Sequence, residues 1–245
     1  MNEKPLRIIA VITARGGSKG LPGKNIIDLA GKPLLAYTVE AALQSRYVET
    51  TVVSTDDEKI REVALAAGAE APFLRPAELA SDTAHSPDVV SHAVEYYEKR
   101  DGKDYDLTVM LQPTSPFRTG RHIDEAIEKF LEDRTLDSLI SIKKQDYPPW
   151  WMFTTEGARL RPAFHFKDGV NVFNLERQEF PTVYRPNGAI YVTWREYLKK
   201  TGSIVNPENN GYYVMSEADS IDIDLKADLY AAEYEMQLRL GNTVT

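Results

Sequence analysis

Residues 7–13, R-I-I-A-V-I-T, are a continuous β-branched run, and they open directly into residues 13–25, T-A-R-G-G-S-K-G-L-P-G-K-N. An apolar run without alternation is expected of a strand buried on both faces. Such a strand delivers the loop to the edge of a covered sheet. The loop carries Gly16, Gly17, Gly20 and Gly23 among the cations Arg15, Lys19 and Lys24. Glycines let backbone N–H groups turn inward and approach an oxyanion closely. Three positive side chains suit a ligand with several negative charges, and an arginine can hold two oxygens at once. The loop therefore reads as a cradle for nucleotide phosphates; an exposed loop with incidental charge is the plainer alternative. Known glycine fingerprints do not fit. A Walker A loop needs Gly-x4-Gly-Lys-Ser/Thr, whereas Ser18 stands in the first glycine position and Asn25 follows Lys24. The dinucleotide pattern Gly-x-Gly-x-x-Gly is also absent, which argues against a nicotinamide-dependent dehydrogenase.

The remaining chain alternates strand-like and helix-like stretches at short intervals. Helical spacing covers 33–44, followed by the strand Thr50–Ser54. Asp56 or Asp57 is expected to cap a helix that Gly68 stops. A short strand is expected over 69–74. Ser86-Pro87 has the form of a helix start, with serine as cap and proline first. Leu107–Leu111 reads as a buried strand ended by Q-P-T-S-P, 112–116. A helix over 121–133 and a strand over 136–142 follow. This rhythm predicts an α/β fold with a parallel sheet covered by helices on both faces. Ligands of such sheets sit beyond the carboxyl ends of the strands, so the loops after each strand should share one cleft.

At Gln145 the rhythm stops. Y-P-P-W-W-M-F, 147–153, is aromatic and proline-rich, and 161–185 mixes apolar, basic and polar residues. Unpacked loops of this length are uncommon in compact domains, so 147–185 reads as an arm forming a subunit interface. The core then comprises 1–146 and 186–245. Strands are expected at 188–193 and 212–215, and an amphipathic helix at 227–240 packed on the sheet. S-I-D-I-D-L, 220–225, alternates with period two, which would place Asp222 and Asp224 about 7 Å apart on one strand face. Two carboxylates that close suit a hard divalent cation, although a solvated strand face fits the spacing equally.

Composition narrows the class. The 245 residues are 42% hydrophobic and 27% charged, with a formal net charge of −8. A basic loop in an acidic chain favours a small anion over a nucleic-acid polymer. Without cysteine there is no disulfide, thiol nucleophile or thiolate metal site. No stretch approaches a membrane span, and the short N-terminal run does not read as a secretion signal, so the expected location is cytoplasmic. Other polar residues keep two readings. Asp56 and Asp57 cap a helix or hold a metal or ribose. Gln112 and Ser115 bond a base or sugar or serve a turn. Arg177, Arg185, Asn187 and Tyr191 clamp a substrate carboxylate or make interface pairs.

Five ordered motifs resemble the acylneuraminate cytidylyltransferases, the CMP-sialic and CMP-legionaminic acid synthetases: A-R-G-G-S-K-G-L-P-G-K-N (14–25), L-R-P-A-E-L-A-S-D-T-A (74–84), L-Q-P-T-S-P-F-R-T-G (111–120), R-P-N-G-A-I-Y (185–191) and S-I-D-I-D (220–224). The resemblance spans nearly the whole chain and is weakest over 145–180. It implies a Rossmann-like nucleotidyltransferase fold with a protruding dimerisation arm, and a homodimer. It implies CTP as co-substrate and Mg²⁺ or Mn²⁺ as cofactor, held by Asp222 and Asp224. Within the first motif, which opens at Ala14, the residues Arg15, Ser18, Lys19, Lys24 and Asn25 would serve the phosphates. Arg75, Ser86 and Gln112 would meet cytosine and ribose. Gln112, Arg177, Arg185, Asn187 and Tyr191 would line the sugar-acid pocket, with Arg177 serving the neighbouring subunit. His85 departs from the small residue usual before Ser86. The implied reaction joins CMP to a nine-carbon α-keto sugar acid such as N-acetylneuraminate or legionaminate and releases pyrophosphate. Arg15 and Lys24 would stabilise the triphosphate, and Asp224 or its bound water would take the hydroxyl proton. The competing expectations are an eight-carbon 3-deoxy-manno-octulosonate cytidylyltransferase and a non-catalytic nucleotide-binding protein.

Overall fold

The computed structural model describes residues 5–241. In chain order, β1 (Ile8–Thr13) leads into the glycine-rich loop. A small hairpin, β2 (Asp28–Leu29) and β3 (Lys32–Pro33), precedes α1 (Leu34–Leu43). Next come β4 (Thr50–Ser54), α2 (Glu58–Ala66), α3 (Ser86–Asp101), β5 (Leu107–Leu111), α4 (Gly120–Glu132) and β6 (Ser138–Lys144). The hairpin β7 (Phe153–Glu156) and β8 (Arg159–Pro162) leads to β9 (Tyr184–Trp194), α5 (Arg195–Thr201), β10 (Asn210–Val214) and α6 (Lys226–Arg239).

Six strands form one sheet in the order β10-β6-β9-β5-β1-β4. Every pairing is parallel except those of β9, which runs against both β5 and β6. Alternate residues of β1 enter two separate cores. Ile8, Ala10 and Ile12 pack with Leu35 and Val39 of α1 and with Ile123, Ile127 and Phe130 of α4. Ile9 and Val11 pack with Val90, Ala93, Val94 and Tyr97 of α3 and with Leu198 of α5. Helices thus cover both faces, and the uniform hydrophobicity of β1 follows from that. Local signals set the helix ends. The Asp57 carboxylate accepts from the N–H groups of Lys59 and Ile60, and Thr119 and His122 form a capping box at α4.

Four local expectations need correction. Residues 69–74 make one bridge, Val52 to Glu70, and no strand. The N-cap position of α3 is His85, without a side-chain cap bond, and Ser86 is the first helical residue. Residues 220–225 are not a strand either. A 3-10 turn over Ala218–Ser220 is followed by irregular backbone, tied in by the Ile223 N–H donating to the Thr114 carbonyl at 2.9 Å. No neighbouring strand offers a ladder there, and Ile223 is instead buried against Leu29, Leu34 and Phe117. α6 joins that same cluster through Leu229 and Ala232, so it packs on the β2–β3 hairpin region rather than on the sheet. The hairpin and α5 carry no strong sequence signal.

Residues 147–183 differ from the core in kind. β7 and β8 pair only with each other. Trp150 stacks on Phe180, with ring centroids 5.4 Å apart, and Phe153 stacks on Phe173 at 5.3 Å. No helix among the described residues is long and apolar enough to cross a membrane. Because β1, β4 and β5 are parallel, their carboxyl ends meet at one edge of the sheet. The reversed β9 brings its amino-terminal half to that edge.

Candidate active site

A cleft of about 660 Å³ lies at this edge. The loop after β1 supplies Arg15, Ser18, Lys19, Lys24 and Asn25; the segment between α2 and α3 supplies Arg75 and Asp82, and the start of α3 supplies Ser86. Gln112 and Thr114 enter after β5, and Asp222 and Asp224 enter from the irregular 221–225 segment. The glycine loop and the aspartate pair, far apart in sequence, therefore face one cavity.

Backbone anchors fix the loop. The Asp56 carboxylate accepts from the Gly16 N–H at 2.9 Å, and the Asn25 amide donates to the Arg15 carbonyl at 2.8 Å. A Cβ at Gly20 would fall 2.6 Å from the Asp224 carbonyl oxygen, so only glycine lets the loop close on the aspartate segment. Arg75 is buried; its Nε donates to the Ser54 hydroxyl at 3.1 Å and its second amino group to the Ser54 carbonyl. Burial lowers its pKa to about 10, with Arg15 acting in the same direction and Asp56 opposing.

The cations of the cradle are held by carboxylates of the facing walls. Asp82 bridges Arg15 at 2.9 Å and Lys19 at 2.6 Å. Lys24 pairs with Asp224 at 2.7 Å. Hydrogen bonds from Lys19 and Arg15 hold the Asp82 carboxyl below the usual range. A polyphosphate entering the cleft exchanges these carboxylates for its own oxygens.

Asp222 is in a different state. Its Oδ1 is buried without a partner, and burial holds its carboxyl above the usual range, against a hydrogen-bonding contact from Thr114. An orphaned buried oxygen beside an exposed, lysine-bound carboxylate suits a Mg²⁺-like ion, which takes one or two protein carboxylates together with waters and substrate oxygens. No group of three or more His, Cys, Asp or Glu side chains among the described residues is arranged as an all-protein metal cage.

The other expected residues lie outside the cleft lining. Ala14 is buried, and its N–H donates to the Ser54 carbonyl. Asn187 is 2% exposed, its oxygen accepting from the Ser141 hydroxyl at 2.6 Å and its amide donating to the Ser220 hydroxyl at 2.9 Å; it braces the site from behind. Tyr191 is half-buried, and burial together with Asp222 raises its hydroxyl pKa. Arg185 is exposed on β9, opposite Lys143 of β6. Arg177 pairs with Asp146 and lines a separate cavity of about 340 Å³ at the base of 147–183. Asp56, expected as a helix cap or a metal or ribose ligand, instead anchors the Gly16 N–H, while Asp82 and Thr114 have site contacts that residue type alone does not assign, although both fall inside quoted motifs.

A mostly parallel sheet that presents a cationic glycine loop opposite paired carboxylates suits a nucleotidyltransferase, and the comparisons with known proteins give that class. A solved CMP:2-keto-3-deoxy-manno-octonic acid synthetase complexed with CTP has the same fold, with a TM-score of 0.69 at 20% identity over 95% of this chain and 99% of that one. Residues 9–149 match the family model described as cytidylyltransferase, and the chain belongs to that family. A CMP-N,N'-diacetyllegionaminic acid synthase of Legionella pneumophila is 38% identical over 95% of this chain and 97% of its own length. An N-acylneuraminate cytidylyltransferase of Escherichia coli is 36% identical over 92% of this chain, which spans 51% of that relative.

Two predictions follow from the charges. The folded state favours protonated Asp222, a contribution present below its unfolded pKa and lost as pH rises through the higher folded value. Burying a carboxyl group with an unpartnered oxygen opposes folding, increasingly as pH rises, so Asp222→Asn should raise the melting temperature on the order of 2–4 °C. Scanning calorimetry without divalent ions measures it, and a lower melting temperature would refute the assignment. Removing the competing anion with Asp82→Asn should tighten pyrophosphate binding about threefold, as expected for exposed ion pairs; titration calorimetry at low salt would show unchanged or weaker binding if Asp82 does not compete.

Proposed function

We infer that this chain couples CTP to a nine-carbon α-keto sugar acid, N-acetylneuraminate or a related nonulosonate such as legionaminate, giving the CMP-sugar and pyrophosphate. The carrying observation is the single cleft in which Arg15, Lys19 and Lys24 face Asp222 and Asp224. The relatives' names supply the sugar class.

Ser18 and the three cations receive the triphosphate, with Asn25 keeping the loop in shape. Arg75 and Ser86 take the cytosine and ribose. Gln112 faces the sugar acid from the cleft floor. The anomeric 2-hydroxyl oxygen bonds to the α-phosphorus, the bond from that phosphorus to the bridging oxygen breaks, and pyrophosphate carries away the electron pair. Arg15 and Lys24 neutralise charge on the leaving group. Lys24 moves from Asp224 to the phosphates, and Asp224 accepts the hydroxyl proton. Asp222, with Asp224, would hold a Mg²⁺ or Mn²⁺ ion, which supplies charge neutralisation to phosphate oxygens.

We assign 147–185 as the arm that joins two copies into a homodimer. Leu160 is 64% exposed, Phe164 51% and Phe173 68%, an apolar display that a second copy would cover. Arg177 on that arm, with Arg185, would present guanidinium groups to the sugar carboxylate of the neighbouring cleft.

Pyrophosphate release tests the reaction. Purified protein with CTP and Mg²⁺ should turn over one or more of N-acetylneuraminate, N,N'-diacetyllegionaminate and pseudaminate, and 3-deoxy-manno-octulosonate poorly. Turnover of the eight-carbon acid alone, or of none, refutes the reading. Sedimentation velocity should give twice the chain mass at micromolar concentration, falling to one chain mass in Phe164→Ser/Phe173→Ser; a wild-type monomer refutes the arm assignment.

A further inference from the structure

We propose that Arg118 and Gly188 are positioning residues that set the reach of the Gln112 carboxamide at the cleft floor; this deepens the reading of the cleft given above. Arg118 is 2% exposed. An ionised side chain so buried is normally paired with an opposite charge, yet its hydrogen-bond partners are all neutral. Its guanidinium donates to the Gln112 carbonyl at 3.1 Å, to the Ala189 carbonyl at 2.8 Å and to the Thr38 hydroxyl, and its Nε has no partner among the described residues. The location explains this set. The β5–β9 ladder ends at Met110 opposite Tyr191. Past that pair the ladder does not continue, and Arg118 donates to the next carbonyls of both chains, Gln112 and Ala189.

Gly188 shapes the other side of the mount. It has φ +77°, in the left-handed region. A Cβ there would lie 2.4 Å from the carboxamide oxygen of Gln112 and 3.6 Å from Oδ2 of Asp222. The Gln112 side chain therefore rests in a notch that exists only because residue 188 has no side chain. Asn187 secures the notch through Ser141 on β6 and Ser220 on the turn leading to Asp222. With its backbone carbonyl held by Arg118 and its carboxamide oxygen seated against Gly188, Gln112 has a restricted reach, which a reacting sugar requires, since misplacement near 1 Å costs up to about 100-fold.

The test uses Gly188→Ala, Arg118→Lys and Arg118→Met, each in the wild-type and Gln112→Ala backgrounds. Gly188→Ala should lower kcat/KM for the preferred sugar acid of the panel about 100-fold, with KM for CTP within about twofold. In the Gln112→Ala background the same change should cost less than about threefold in kcat/KM, because the clash is gone; the strain of an alanine at φ +77° is common to both backgrounds and is read separately by the melting temperature. Arg118→Lys should retain more activity than Arg118→Met. Equal costs in both backgrounds, or parallel loss for both substrates tracking a fall in melting temperature, would overturn the proposal in favour of a purely structural role. A second readout does not depend on turnover. In ¹⁵N-glutamine-labelled protein, the Gln112 side-chain amide signals, assigned by their loss in Gln112→Ala, should shift in Gly188→Ala and Arg118→Lys. Unchanged signals refute positioning even if the enzyme is inactive on the panel, whereas shifted signals without turnover refute the substrate reading alone.

Discussion

Opposite charge facing across one crevice is the constraint on which the site depends. A loop with Arg15, Lys19 and Lys24 at close quarters repels itself unless anions stand nearby, and the fold supplies them from two walls. Asp82 holds two of the cations and Asp224 the third. These partly exposed pairs contribute little to stability, which makes them exchangeable. A site that must bind and release a polyphosphate needs this property more than it needs strong resident ion pairs.

The strand reversal at β9 explains why the crevice has a floor. In a wholly parallel sheet only carboxyl-terminal loops reach the ligand edge. Here the amino-terminal half of β9 also arrives there, bringing Gly188 beside Gln112. Where the β5–β9 ladder ends, the carbonyls of Gln112 and Ala189 accept from Arg118 instead. Burial lowers its pKa to about 9. Desolvating that cation opposes folding; the geometry it imposes is local to the cleft.

Much of this arrangement was legible in the sequence, because β1, β4 and β5 are short uniform apolar runs and the glycine loop is dense in charge. Their burial follows from those uniform runs, and their parallel pairing from the alternation of strands with helices. Residues 220–225 were harder. Their period-two pattern matches a strand, but the apolar member Ile223 is buried by α1, the hairpin and Phe117 rather than by a ladder. Periodicity reports which side chains are buried, not whether a neighbouring chain supplies hydrogen bonds. Asn187 shows the complementary limit. Residue type fits a ligand contact as well as an internal brace, and only the partners Ser141 and Ser220, distant in sequence, decide between them.

The same distinction separates the two aspartates. Asp224 is exposed and paired with Lys24. Asp222 is drawn inward by its neighbour Ile223, which anchors the segment through the Thr114 carbonyl. That anchoring leaves one carboxylate oxygen dry and unpartnered. Removing a partnerless charge from water is unfavourable unless a ligand later compensates it. The irregular backbone at 221–225 thus serves a chemical end that a regular strand would not: it places one carboxylate in solvent and the other in reserve, on the same wall of the cleft and one residue apart.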